Sequence, residues 1–522
     1  MISKIFYRQL PTRANAFIIQ KKLFQTLLSS HKDSPLYKNI WLKQDQTSDL
    51  LDWDETRLKE YIAQFMLIEY TDHILPLYND HRGIVSDKYD LLIKTSGTCD
   101  ANQWGKLIPA NWSSLNNDRV GMQRTISYYL STYLSSNLFF TSAFTLTAPF
   151  DSTKKTWYIS GAMRYTNNIY QYLFFPPDDI LAIDNRQVKK DKIIQQLLQK
   201  NISIWSFHGV PTRWLDIIDD LIERDIIKAK EILKKCEYVS IGWWPALDYK
   251  QQFQQRIWSL WLDNRLSASN NHNASEWFLA SQTQNFDDLE YHWMSPVMQT
   301  NFFLFVEIWD FERYKRWDIN YRDMVIKSYL LHEVAPEREY LLLFANHRIP
   351  RFYNIKDKVM FKDNFTSNND IWSDPLLEYI VTGRYGMASN IFNEHIELPH
   401  LVDVFDMLWS QWYVVDQYNF VAGMQLVDNE WIFHIIIEAS LSYDVSVLTS
   451  LIDMYLWQVN DQRKIFRERN KIAKIELCLV KKGQVRQGLI AIGKMHQQSK
   501  IPYLSDSNYK EIIEPLLLQI KK

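Results

Sequence analysis

Glycine is scarce in this chain. There are 13 glycines in 522 residues, where average usage of about 7% would give nearly three times as many. Glycine-rich nucleotide loops therefore cannot be plentiful, and most turns must be made with Asn, Asp and Ser. Cysteine is equally sparse: Cys99, Cys236 and Cys478 lie far apart with no CxxC spacing. That excludes a disulfide framework or a cysteine zinc site and suits a reducing compartment. His208 and His395 have no partners at metal-ligand spacing and read as structural or exposed. No long block of one charge occurs and the formal net charge is −2, so nothing points to nucleic acid or an anionic membrane as partner. The longest apolar stretch, near Leu138–Phe150, is short and broken by Thr and Ser; it reads as a buried strand and not as a membrane span. Lys4, Arg8 and Arg13 are not followed by an uninterrupted apolar segment, so no signal peptide is expected. The composition thus predicts a soluble, cytoplasmic protein.

What the chain has in quantity is apolar and aromatic surface. Hydrophobic residues make up 46%, with 20 Trp, 29 Tyr and 27 Phe. The length exceeds one simple core, and two or more domains are expected. Residues 15–80 carry apolar positions at helical spacing, among them Phe17, Ile18, Leu23, Leu27 and Leu28. Residues 186–199 and 212–236 are helical by pattern, with a strand over Asn201–Phe207 between them. Short strands are expected at Tyr89–Lys94 and Ser240–Trp244, and apolar runs at 301–309 and 339–345 suit buried strands. Alternation of strands and helices predicts an α/β architecture. After about residue 382 the character changes. Tyr418–Leu426 and Trp431–Ala439 flank Asp428-Asn429 as a hairpin, followed by an amphipathic helix over 446–469, a strand over Ile475–Val480 and a Lys482-Gly483 turn. This predicts a large domain over 1–382 and a smaller α+β domain over 383–522.

One segment proposes a chemistry unaided. Thr95-Ser96-Gly97-Thr98 is followed eight residues later by Lys106-Leu107-Ile108-Pro109. A hydroxyl-rich turn with one glycine can wrap an oxyanion in backbone N–H groups, and a nearby lysine adds a point charge. Residues 113–136 read as a helix, so the loop is expected between a strand and a helix. Taken alone, such a turn is usually a plain loop.

Further motifs follow in order. They are Gly209-Val210-Pro211-Thr212-Arg213-Trp214, His272-Asn273-Ala274-Ser275-Glu276, Phe305-Val306-Glu307-Ile308, the run Pro350-Arg351-Phe352-Tyr353-Asn354-Ile355-Lys356-Asp357, and Gln498 with Lys500 and Pro502. In this order and spacing the chain resembles a diverged, bacterial-type member of the auxin-responsive Gretchen Hagen family of acyl acid amido synthetases. That family is a branch of the acyl-adenylate-forming superfamily. The resemblance covers roughly residues 85 to 505. It implies a large adenylate-forming domain with mixed sheets and flanking helices, plus a smaller mobile α+β C-terminal domain.

The resemblance also implies a two-step ATP-dependent reaction. A carboxylate attacks the α-phosphate of ATP to give acyl-AMP and pyrophosphate, and an amine or amino acid then takes the acyl group and releases AMP. Thr95, Ser96, Gly97, Thr98 and Lys106 would bind phosphate, with Ser275 beside them in the second motif. Glu276 would hold Mg²⁺ as a hard oxygen ligand. Asp357 would accept hydrogen bonds from the ribose hydroxyls, and Tyr353 or His272 would pack on the adenine. Lys500 would reach the reacting carboxylate or phosphate. Val210, Thr212 and Trp214 would border the acyl pocket. Each residue has a plainer reading: Glu276 as a helix cap, Asp357 as a turn residue, Lys500 as a surface lysine, Trp214 as core.

The chain departs from the family pattern at several points. Asp100 stands where a glycine is expected, Lys356 replaces the glycine before Asp357, His272 replaces a tyrosine, and Phe352 and Asn354 align with arginines, with Arg351 one residue away. Two alternatives stay open beside the ligase: a binding protein of the same fold without activity, and a thioester-forming acyl-CoA ligase.

Overall fold

The computed structural model describes residues 12–31, 34, 49–65, 67–68, 73–80, 84, 89–94, 107–112, 142–146, 156–158, 174–183, 185–200, 202–209, 211–242, 247–264, 266–273, 278–349, 351–363, 376–385, 388–391, 394–427, 430–459, 474–494, 504 and 509–520. These fall into two compact units, one within Met1–Thr95 and Leu107–Thr382, the other within Gly383–Lys522.

The first unit holds three sheets. In the first, β1 (Leu91–Lys94) lies between β2 (Leu107–Ala110), antiparallel, and β4 (Thr156–Tyr158), parallel. The second has seven strands. β3 (Ser142–Thr145), β5 (Phe174–Phe175), β6 (Ile204–Gly209), β7 (Tyr238–Ile241) and β8 (Ser267–Asn273) run parallel, and β9 (Phe278–Ser281) and β10 (Ser295–Pro296) add antiparallel pairings. The third has five strands: β11 (Asn301–Glu307), β12 (Tyr329–Leu330), β13 (Glu339–Asn346), β14 (Tyr353–Phe361) and β15 (Tyr379–Arg384).

Period-two alternation decides which face of each strand meets which layer. Phe303 and Phe305 of β11, with Tyr340, Leu342 and Phe344 of β13, join Leu91, Ile93 and Ile108 in one core. Residues of opposite parity, such as Phe302, face helix Arg13–His31, where Phe302 meets Phe24 at 4.9 Å. Buried Gln20 of that helix donates to the carbonyls of Met298 and Asn301 and accepts from the Phe303 N–H, tying helix to sheet. In the seven-stranded sheet Phe207 packs on Trp214 and Phe253, from helices Pro211–Arg224 and Leu247–Ser259. The pattern expected as one helix over 212–236 is two helices. Asp225 interrupts it and caps the second, Ile226–Leu233, by accepting from the Lys228 N–H at 2.9 Å.

Scarce glycine shows in how helices end. After Leu247–Ser259, Ile308–Lys315 and Leu398–Ser410 the residue in left-handed conformation is a tryptophan: Trp261, Trp317 and Trp412, at φ 56°, 66° and 66°. Each closes the paired 5→2 and 6→1 hydrogen bonds of a Schellman cap; Trp317 N–H donates to the Tyr314 carbonyl and Asp318 N–H to that of Arg313. Gly493 makes the same closure with the usual residue. A tryptophan held there bears a Cβ clash that glycine does not, and these three side chains are 86–90% exposed. Trp317→Gly is therefore expected to raise stability by about 0.5–1 kcal/mol, net of glycine's greater chain entropy. A lowered thermal midpoint would contradict the strain at this cap.

The second unit contains a two-stranded ribbon, β16 (Ala388–Ile391) with β17 (Glu394–Glu397), and a three-stranded sheet. β18 (Val415–Val427) and β19 (Glu430–Ala439) form the antiparallel pair, and β20 (Lys474–Val480) lies parallel to β19. Helix Val445–Val459 belongs to the crossover that this parallel pairing requires. Buried Glu438 of β19 accepts from the N–H groups of Gly483 (2.7 Å) and Val485 (2.9 Å), at the start of helix Gln484–Ala491. Burial dominates and pushes its carboxyl up to about 7 from an ordinary 4.5. The folded state thus holds this proton more tightly than the unfolded chain. The resulting stabilisation is full below about pH 4.5 and is lost as pH rises toward 7. Glu438→Gln is expected to flatten that slope in a series of unfolding curves from pH 5 to 8; an unchanged slope would assign it elsewhere.

Candidate nucleotide and acyl site

The parallel strands β6, β7 and β8 end side by side, with His208, Ser240 and Ser269 in one cross-strand row. In open α/β sheets the carboxyl ends of the strands are where ligands bind. Residues of the same parity complete a polar face on this end of the sheet. His208 Nε2 lies 2.8 Å from Ser206 Oγ, Tyr238 Oη lies 2.5 Å from Ser269 Oγ, and Asn271 donates to Ser240 Oγ at 2.8 Å. Burial holds the His208 imidazole down at about 4, so it is neutral near pH 7. Gly209, at φ 112°, terminates β6 and leads into Val210 and the helix that begins at Pro211. Val210 and the Thr212 side chain lie outside the described residues. Trp214 is described and fully buried, with ring centroids 5.5 Å from Phe207 and 5.2 Å from Phe253. It belongs to the core on the opposite, apolar face of the sheet.

Where β8 crosses to pair with β9, His272 meets the third sheet. Its Nε2 is 2.8 Å from Asp357 Oδ2 on β14, and its Nδ1 is 2.9 Å from Tyr379 Oη on β15. Residues separated by 85 and 107 positions are thus brought together. His272 keeps 7% side-chain exposure and Asp357 16%, so the carboxylate is the more accessible member of the pair. The backbone explains how Asp357 comes to point here. Between the pairs Leu341↔Lys358 and Leu343↔Asn354 the strand carries extra residues, a bulge. Within it Lys356 takes φ 67°. Asn354 Oδ1 accepts from the Lys356 N–H at 2.7 Å, an Asx turn supporting the left-handed residue. The position where the resemblance expects glycine therefore has a glycine-like backbone, although its side chain is lysine.

The remaining expectations fall out differently. Tyr353 is 1% exposed and packs edge-on against Phe344 in the central core. Its ring has no open face to lay on a base, which leaves His272 as the candidate of the two. Phe352 is likewise core, against Phe302 at 5.6 Å, and Arg351 is buried. Thr95, Ser96, Gly97, Thr98, Asp100, Lys106, Ser275, Glu276 and Lys500 lie outside the described residues, as does the helix expected over 113–136. The setting of the loop is nonetheless corrected. Lys94 pairs with Leu107, so residues 95–106 join two antiparallel strands, β1 and β2, and not a strand and a helix. Leu107, Ile108 and Pro109 alternate as strand residues within β2. Among the described residues no group of three His, Cys, Asp or Glu side chains surrounds a common metal position. No helix among them is long and apolar enough to cross a membrane. Tyr379 is the site residue that sequence reasoning missed; no local spacing marks a partner so distant in the chain.

The fold is mixed α/β, and it superposes on solved acyl acid amido synthetases over nearly the full chain. A solved GH3.15 acyl acid amido synthetase superposes with a TM-score of 0.68 at 11% identity, covering 97% of this chain and 94% of that one. The AtGH3.15 acyl acid amido synthetase in complex with 2,4-DB superposes at 0.72, again at 11% identity, covering 99% and 96%. At that identity the likeness is one of fold, over nearly the full length of both chains. No protein-family model matches the sequence, and no curated protein matches it.

Proposed function

We propose that this protein is an ATP-dependent, AMP-forming ligase. It would activate a small carboxylic acid as acyl-AMP and transfer the acyl group to an amine or amino acid, with a small-molecule acid and amine as its partners. The observation that carries this reading is the 2.8 Å pair of His272 and Asp357. The second and third motifs, found by resemblance 85 residues apart, supply the two members of one partly buried contact in a fold that superposes on amido synthetases over nearly its full length. Asp357, fixed by His272 and partly accessible, is suited to accept from ribose hydroxyls; His272 borders the base. The polar ends of β6 to β8, followed by Val210 and Thr212, would border the acyl group.

Glu276, four residues after the anchored His272, would hold Mg²⁺. It would contribute one carboxylate, and Mg²⁺ commonly binds with a nucleotide through one or two protein carboxylates together with phosphate and water. The ion would neutralise phosphate charge. Thr95, Ser96, Gly97, Thr98, Lys106 and Ser275 would contribute donors to the phosphates.

The acceptor distinguishes an amide ligase from a thioester ligase. With ATP and a productive acid, hydroxylamine is expected to trap the activated acyl group, an amine or amino acid to give an amide, and CoA to give no thioester. A CoA thioester formed in preference to any amide would contradict the amide assignment.

A further inference from the structure

We propose that Tyr379 is a positioning residue for the nucleotide: acting through His272, it fixes the carboxylate of Asp357 for the ribose. This rests on the ribose assignment of Asp357 above. The three side chains come from three strands, β15, β8 and β14, with contacts of 2.9 and 2.8 Å.

The direction of the relay follows from donor chemistry. An ionised carboxylate only accepts, so the proton on His272 sits on Nε2 and is donated to Asp357 Oδ2. With that single proton on Nε2, Nδ1 carries a lone pair that accepts, and the Tyr379 hydroxyl is its donor. Tyr379 is suited to the role because it keeps its proton: burial and the nearby Asp357 charge both push its titration well above the ordinary tyrosine value.

The base of the relay is rigid. Tyr379 exchanges both backbone hydrogen bonds with Met294, at 2.9 and 2.8 Å, and its ring packs edge-on against Phe361 at 5.7 Å, with no solvent exposure. At the other end the Asx turn holds Lys356 in its left-handed conformation and sets the exit of Asp357. Without the Tyr379 hydroxyl, the buried Nδ1 loses its donor. The imidazole can then rotate or change tautomer, and Asp357 loses its His272 contact.

A relay of this kind affects one part of the ligand and spares the rest, which gives a test that a general packing role fails. Binding of ATP and of 2′,3′-dideoxy-ATP is measured by calorimetry for the wild type, Tyr379→Phe and Asp357→Asn. The wild type is expected to prefer ATP by about tenfold, the worth of one to two good hydrogen bonds. Tyr379→Phe is expected to weaken ATP about five- to tenfold while changing dideoxy-ATP less than about twofold. Asp357→Asn is expected to remove the preference. Equal weakening of both ligands by Tyr379→Phe, or no change in either, overturns the relay while leaving the ligase reading intact. A wild type that binds both ligands equally overturns the ribose role of Asp357 and the relay with it. A wild type that binds neither overturns the ligase reading. The imidazole ¹⁵N shifts of His272 in the wild type give a check independent of any variant's folding. A proton on Nε2 is expected, and a proton on Nδ1 alone overturns the relay.

Discussion

Glu276→Gln is expected to lower acid-dependent pyrophosphate exchange by about 10²- to 10³-fold, the usual cost of removing one preorganised electrostatic contact to a developing charge. In the proposed reaction, attack of a carboxylate on the α-phosphate would bring anionic groups together, and Mg²⁺ held by Glu276 would offset part of that charge. Glutamine keeps the size of the side chain and loses its charge, so the unfolding free energy is expected to stay within about 0.5 kcal/mol of the wild type. Glu276 is four residues beyond His272 in the sequence, and the His272 ring is held from two sides by Asp357 and Tyr379. Full activity in Glu276→Gln would remove the metal role from this residue and return it to the plainer reading of a helix cap.

Trp214→Ala is expected to destabilise the N-terminal unit by about 3–5 kcal/mol, the range for deleting a fully buried large aromatic side chain. Trp214 sits on the helix after Gly209 in a segment that resembles an acyl-pocket border, yet its indole lies between Phe207 and Phe253 on the apolar face of the sheet. The core reading therefore predicts a large loss of stability and, in the milder Trp214→Phe, an unchanged order of preference among acids. A loss below about 1 kcal/mol in Trp214→Ala, accompanied by altered acid preference, would place the ring against a pocket instead.

The sequence was most legible where periodicity alone decides the answer. The apolar run at 339–345 is a strand buried on both faces, β13, and that at 301–309 is β11 as far as Glu307, where helix Ile308–Lys315 begins. The hairpin expected around Asp428-Asn429 is β18 with β19, and the Lys482-Gly483 turn precedes helix Gln484–Ala491 with Gly483 at φ 87°. Periodicity fails where a capping residue outweighs it, as at Asp225, or where a strand is too short to leave a pattern, as in β2. Glycine scarcity implies few glycine-rich nucleotide loops and turns made mostly with Asn, Asp and Ser. In the fold it means that tryptophan and lysine occupy left-handed positions, which no composition reveals. The motifs single out His272 and Asp357 as candidates, but their direct contact depends on two sheets meeting. Tyr379 entered only through that meeting, and Tyr353, an equal candidate by motif, turned inward with the parity of β14.

The central claim is that this fold still activates a carboxylic acid with ATP. Its most direct test is ATP–pyrophosphate exchange across a panel of carboxylic acids, beside calorimetry for ATP alone. The prediction is acid-dependent exchange for at least one acid and measurable ATP binding without any. No exchange with any acid, together with no ATP binding, would contradict it.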